Sequence, residues 1–203
     1  MVLFGGRTSQ YLLLLLLSIV PINASKYWQK IPENNHGIQP TTIVNEAEDL
    51  QPNNLVLFIP ILSNEWIVQL HFKLLAEHAG ESKWCNIIHV TKGQNNIVYG
   101  DRTPAIFFDK ATSLLSIGSA VNGSKNYARY LTVQYNTEYN VEIHQRYKSG
   151  GVYKYSTLLN GEEIHSTDNT QAQQFYDMKV YISDPWLPAC NGWIKYIKIT
   201  NFL

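Results

Sequence analysis

From about residue 53 onward, apolar and polar residues alternate with a period of two and show no helical period. The clearest case is EWIVQLHFKLLA (65–76). Trp66, Val68, Leu70, Phe72 and Leu74 fall on one side, with Glu65, Ile67, Gln69, His71 and Lys73 on the other. Successive strand side chains point to opposite faces, so this segment predicts a strand buried on one face. The pattern predicts further strands at WCNIIHVTK (84–92), AIFFD (105–109), LLSIGSAV (114–121), ARYLTVQY (128–135) and EYNVEIHQRY (138–147). VYKYSTLLN (152–160) and EEIHSTD (162–168) flank Asn160-Gly161, a pair suited to a two-residue hairpin turn because both positions need positive φ. MKVYISD (178–184) and GWIKYIKITNF (192–202) close the series, and NNLVLFIPI (53–61) opens it as a buried run. The expected Trp193, Tyr196 and Ile197 of the last strand finish the core. Roughly ten to twelve strands about ten residues apart predict an all-β antiparallel sandwich in one domain.

The first 25 residues break this pattern. MVLFGGRTSQYLLLLLLSIVPINAS carries one arginine, a leucine-rich run from Tyr11 to Val20, and small residues at Ala24 and Ser25. The run is too short for a bilayer-spanning helix of roughly 20 residues but suits a secretory signal peptide. Residues 1–25 are therefore read as a signal peptide and the mature chain as secreted, with no transmembrane segment. Residues 26–54, broken by Pro32, Pro40 and Pro52, form an extended lead-in that packs on the sandwich of residues 55–203.

Composition narrows the functions. Sixteen basic residues balance sixteen acidic ones, which leaves no electrostatic footprint for nucleic acid. Aromatics make up 12% of the chain, including 13 tyrosines, which suits sheets. Cys85 and Cys190 are the only cysteines. An oxidising compartment favours their pairing, and a loop of this length is worth roughly 4–5 kcal/mol in the chain-entropy account.

The blocks WIVQLHFK, CNIIHVT, YGDRTPAIFF, LLSIGSAVNGSKNY, NVEIHQ, YSTLLNGEEIHSTDN and VYISDPWLPACNGWIKYIKI follow one another in an order that resembles the concanavalin A-like lectin and glucanase superfamily. More narrowly, the chain is similar to laminin G-like and pentraxin-like extracellular modules. GDRTPAIFF, SAVNGxxNY and SDPW are similar to blocks of secreted single-domain invertebrate proteins. The resemblance implies a jelly roll of two curved antiparallel sheets, with sugars or protein partners held on one sheet or at its edge loops, often with calcium.

Candidate chemistry is sparse. Hydrolases of that superfamily place acids at alternate positions of one strand. Glu162 and Glu163 are adjacent and so point to opposite faces, which argues against an enzyme. Asp101 and Asp168-Asn169 sit at loop edges where calcium ligands or simple turn caps occur. Arg102 beside Asp101 is either a clamp for a carboxylate or sugar hydroxyl, or half of an internal pair. Asn122-Gly123-Ser124 is an N-glycosylation acceptor on a predicted hairpin tip. Tyr127, Tyr130, Tyr135, Tyr147, Tyr153 and Tyr155 are candidates for a sugar-stacking platform or for half-buried strand positions. Trp186 in SDPWLPAC either covers the disulfide or stacks on a ligand. Asp101, Arg102, Tyr127 and Trp186 are thus the candidate ligand residues. The expected function is a non-enzymatic extracellular recognition module for a glycan or a glycosylated matrix or surface protein, with a structural, matrix-assembly role or a diverged glycoside hydrolase as the alternatives.

Overall fold

The computed structural model describes residues 35–76 and 82–203. The expected signal peptide and the first part of the expected lead-in, residues 1–34, lie outside the described residues. The strands are β1 (Thr41–Val44), β2 (Glu48–Asp49), β3 (Leu55–Leu62), β4 (Trp66–Leu74), β5 (Trp84–Thr91), β6 (Ala105–Asp109) and β7 (Leu114–Val121). They continue with β8 (Ser124–Thr132), β9 (Glu138–Ser149), β10 (Val152–Leu159), β11 (Glu162–Asn169), β12 (Phe175–Ile182) and β13 (Gly192–Asn201). One sheet runs β1-β13-β4-β9-β10-β11, with β2 also on β13; the other runs β3-β12-β5-β6-β7-β8. Neighbouring strands in both sheets are antiparallel, as a jelly-roll sandwich requires.

The alternation becomes the core directly. Trp66, Val68, Leu70, Phe72 and Leu74 of β4 face Ile88, Ile106, Phe108, Leu115 and Ile117 of the second sheet in one buried cluster. Asn160 and Gly161 take φ of 51° and 83°, and Asn122 and Gly123 take 49° and 76°, so both Asn-Gly pairs form the tight turns expected of them. Gly192 enters β13 where a Cβ would sit 2.1 Å from the Lys73 carbonyl, so only glycine lets β13 lie this close to β4.

Two expectations need correction. LVLFIPIL is an edge strand with Leu55 and Phe58 half exposed, because among the described residues β12 pairs only one of its sides and no layer covers its outer face. In β13 the register slips between Lys195 and Lys198, where Tyr196 takes φ 52°. That bulge brings Ile194 and Ile197 both inward, so Ile194, Ile197 and Ile199 finish the core while Trp193 and Tyr196 turn outward.

The tyrosines also divide. Tyr155 is buried between the sheets, Tyr127 packs edge-on to it at 6.2 Å, and Tyr135 packs edge-on to Phe108. Tyr147 and Tyr153 contact each other on the first sheet, whereas Tyr130 is exposed on the second. No single platform holds the six. Tyr147, Tyr153 and Tyr155 share one face of the first sheet, whereas Tyr127 and Tyr130, three positions apart on β8, lie on opposite faces of the second.

Burial pushes the Tyr155 phenol up to about 12. Its folded pKa lies above the unfolded value, so keeping it neutral stabilises the fold fully below pH ~10. That stability declines as pH rises toward about 12. An alkaline absorbance titration of the tyrosines is expected to leave at least the Tyr155 phenol protonated until the fold is lost. Ionisation of every tyrosine near its usual pKa, with the fold intact, would contradict this.

Candidate binding site

Strand β5 is where the long C-terminal loop is fastened. Cys85 is disulfide bonded to Cys190, 105 residues away. The next residue, Asn86, donates through Nδ2 to the carbonyls of Ile88 and Ile106, while its Oδ1 accepts the Asp184 amide at 2.8 Å. The main chain adds the Asn86 N–H to Pro188, the Cys190 N–H to Asn86 and the Ser183 N–H to Ile87. His89 completes the tie. Its Nδ1 lies 2.7 Å from Asp184 Oδ2 and its Nε2 donates to the Asp101 carbonyl at 2.6 Å, with all three residues fully buried. A proton has to lie between Nδ1 and Oδ2, because two bare acceptors at that distance repel. Both imidazole nitrogens are thereby committed, so the pair acts as a structural tie.

Asp184 Oδ1 accepts the amides of Trp186 and Leu187, and Asp101 Oδ2 accepts those of Ile97 and Val98, each Asp101 contact at 2.7 Å. One imidazole therefore holds two loops that each turn on an aspartate. The Trp186 ring lies edge-on to His89 at 5.4 Å and to Tyr181 at 6.1 Å. It caps the histidine, which answers the choice between disulfide cover and ligand ring with a third position.

Beside this tie, on the face of the second sheet turned away from the core, lies a pocket of about 270 Å³. Asn86, Phe107, Ser116 and Tyr130 form one cross-strand row over β5, β6, β7 and β8, with Trp84 two positions along on β5. Arg102 reaches into the pocket from the β5–β6 loop, its guanidinium 4.5 Å from the centre of the Phe107 ring. Nε donates to the Asn95 carbonyl at 3.1 Å and Nη2 to Asn95 Oδ1 at 2.8 Å, which fixes the plane of the fork. Burial lowers the guanidinium pKa from its usual value, with the charges of Asp184, Tyr130 and Asp101 working the other way. Asn126 lies across Gly118 so closely that a Cβ there would stand 2.3 Å from Asn126 Oδ1, and that buried oxygen has no hydrogen-bond partner.

Among the candidates from sequence, Arg102 and, of the six tyrosines, Tyr130 line the pocket, whereas Asp101, Tyr127 and Trp186 do not. Asp101 is buried in its turn, because its carboxylate is needed to cap the Ile97 and Val98 amides, so it offers a ligand no surface and forms no pair with Arg102. Tyr127 faces inward at the sandwich edge, where Arg129 Nη2 donates to its hydroxyl at 2.6 Å and His165 Nε2 lies 3.2 Å away. Desolvation, then the Arg129 charge, holds the His165 pKa below its ordinary value. Trp186 lies over His89 and is not part of the pocket wall. Glu162 and Glu163 sit on the exposed strand β11, with Glu163 paired to Lys154. Among the described residues, no group of three or more His, Cys, Asp or Glu side chains forms a cation site. Trp84, Phe107 and Asn126 were not singled out from sequence. The available signal was AIFFD, in which both alternation phases are apolar, as happens when something covers the outer face too.

A second hollow, of about 320 Å³, lies on the outer face of the first sheet against Gln69, His71, Asn140, Tyr196 and Lys198. Its neighbourhood is already paired. His71 and Lys195 both contact Glu138, and hydrogen bonds from His71, then Lys195, hold that carboxyl below the usual range.

Comparison with known proteins places the fold. No family model matches the chain, and no curated protein matches it in sequence. Among solved structures it is similar to the heptameric SAP-like pentraxin of Limulus polyphemus, at 14% identity over 76% of each chain with a TM-score of 0.52. It is also similar to the endo-β-1,4-glucuronan lyase of Trichoderma reesei, at 11% identity over 83% of this chain and 88% of that one, TM-score 0.50. At such identities the likeness is one of fold. The architecture is the concanavalin A-like jelly roll.

Removing one partner of a buried, hydrogen-bonded pair leaves the other uncompensated. Asp184→Ala is therefore expected to cost about 3–5 kcal/mol in denaturant unfolding. A loss below ~1 kcal/mol, as for a surface pair, would show that the tie is not structural.

Proposed function

We propose that the protein is a secreted, non-enzymatic recognition module that binds a glycan, free or carried on an extracellular matrix or surface protein, in the pocket beside Arg102. The observation that carries this reading is the pocket lining. The exposed Tyr130 ring, the partly exposed Trp84 ring, the Asn126 amide, the Ser116 hydroxyl and the Arg102 fork share one concavity. Ring faces stack on the C–H face of a pyranose, while polar neighbours take its hydroxyls. Among the described residues no carboxyl or imidazole lines the pocket, and His89 beside it has both nitrogens committed, which favours binding over hydrolysis. The lyase is an enzyme on the same fold, and its activity is its own.

Secretion agrees with the Cys85–Cys190 bridge. Asn122 fits as a glycosylated tip: it is exposed, and its Nδ2 donates one hydrogen to the Asp168 carbonyl, which leaves the other position for the sugar. A second reading, matrix assembly without a small ligand, is favoured by one feature. The edge strand β3 has no charged residue and exposes Leu55 and Phe58.

A glycan array probed with and without calcium tests the first reading. Binding is expected, and Trp84→Ala and Tyr130→Ala are each expected to weaken it roughly tenfold, about 1.4 kcal/mol, with unchanged circular dichroism. Failure to bind any sugar in either condition would sink the glycan reading. Concentration-dependent self-association would then support assembly through β3.

A further inference from the structure

The charge pattern of this pocket selects among glycans, and the inference rests on the glycan reading above. Among the described residues Arg102 is the one charged residue in its wall; Trp84, Asn95, Phe107, Ser116, Asn126, Tyr130 and Leu187 are neutral. A guanidinium has five N–H donors. Two of Arg102's are used, both on Asn95, and no carboxylate among the described residues lies within ion-pair distance of it. Behind it, Asp101 Oδ2 is occupied by loop amides while its Oδ1 is buried without a hydrogen-bond partner, and both Asp184 oxygens are occupied, by loop amides and by His89. The Asn95 contacts and the Phe107 ring together hold the fork in one plane, so its remaining donors are pre-set for a planar, two-oxygen partner. Across the pocket, Asn126 Oδ1 is a buried acceptor that lacks a donor. Such an atom costs free energy until something donates to it, and a sugar hydroxyl does so.

We infer that the pocket takes a carboxylate-bearing sugar of the uronic-acid type, with the carboxylate on the free edge of Arg102 and a hydroxyl donating to Asn126 Oδ1. A carboxylate supplies two coplanar acceptors, which the fork matches better than it matches a tetrahedral sulfate. The ring of the same sugar lies between Trp84 and Tyr130.

The test measures binding of the full-length mature protein to oligogalacturonate, oligoguluronate and hyaluronan fragments. Each is paired with its carboxyl-reduced, neutral counterpart, and sulfated dextran serves as a second anion. At least one acidic fragment is expected to bind roughly tenfold or more tighter than its reduced form, a difference weakened by added salt. Arg102→Gln is expected to abolish that difference and Arg102→Lys to retain part of it, each with its melting temperature recorded. If Arg102→Gln fails to fold, the acidic-against-reduced comparison on the native protein still decides. Equal binding of acidic and reduced forms, both lost in Trp84→Ala, would overturn the inference and leave the glycan reading standing. Stronger binding of sulfated dextran than of any uronate would overturn the carboxylate assignment. No binding by any acidic or neutral fragment would count against the inference and the glycan reading together.

Discussion

His89 reaches two loops at once, Asp184 through Nδ1 and the Asp101 carbonyl through Nε2, and it does so with no exposure to water. Burying an imidazole and a carboxylate is costly, and the cost is met only because every polar atom of the ring has a partner. The tie has a consistent companion in Asn86, whose amide satisfies two strand carbonyls and the Asp184 N–H, and in the covalent link from Cys85 to Cys190. Both loops border the pocket on the second sheet: residues 92–104 carry Asn95 and Arg102 to it, and residues 183–191 carry Leu187. Without the tie, Arg102 would have no fixed loop from which to reach Phe107. Stability and site geometry therefore share one set of contacts.

Much of this was legible in the sequence, for a physical reason. Strict alternation is satisfied by strands with one dry face, so β4, β9 and β10 follow closely from residue order, whereas β8 begins four residues before the predicted run and ends before Tyr135. Asn122-Gly123 and Asn160-Gly161 set the sharpest turns because few other residues tolerate positive φ at both positions. The pairing of Cys85 with Cys190 was legible because they are the only two cysteines in the chain. What alternation does not carry is register and neighbours. The bulge at Tyr196 and the edge position of β3 depend on which strand lies alongside, and β2 is too short to show a period.

The candidate site was less legible for the same reason. Trp84, Phe107 and Tyr130 are 23 or more residues apart, and pairing of β5 to β8 is what brings them to one face. Arg102 stood out because of its loop position, yet its neighbour Asp101, equally prominent, turned out to be buried as a cap. A charged residue in a loop next to a turn former can serve the loop or a ligand, and residue order alone does not distinguish the two. Its remaining hydrogen-bond donors do. Asp101 Oδ2 spends its capacity on the loop, whereas Arg102 keeps donors that the protein does not use.

The central claim is that ligand binds on the outer face of the second sheet, beside the tied loops. Nuclear magnetic resonance during titration with an acidic oligosaccharide tests it most directly, by following side-chain N–H signals. The account predicts that the Trp84 indole N–H and the Arg102 Nε–H move with ligand while signals around His71 and Tyr196 stay in place. Shifts confined to the His71 and Tyr196 face, with Trp84 and Arg102 unmoved, would contradict it.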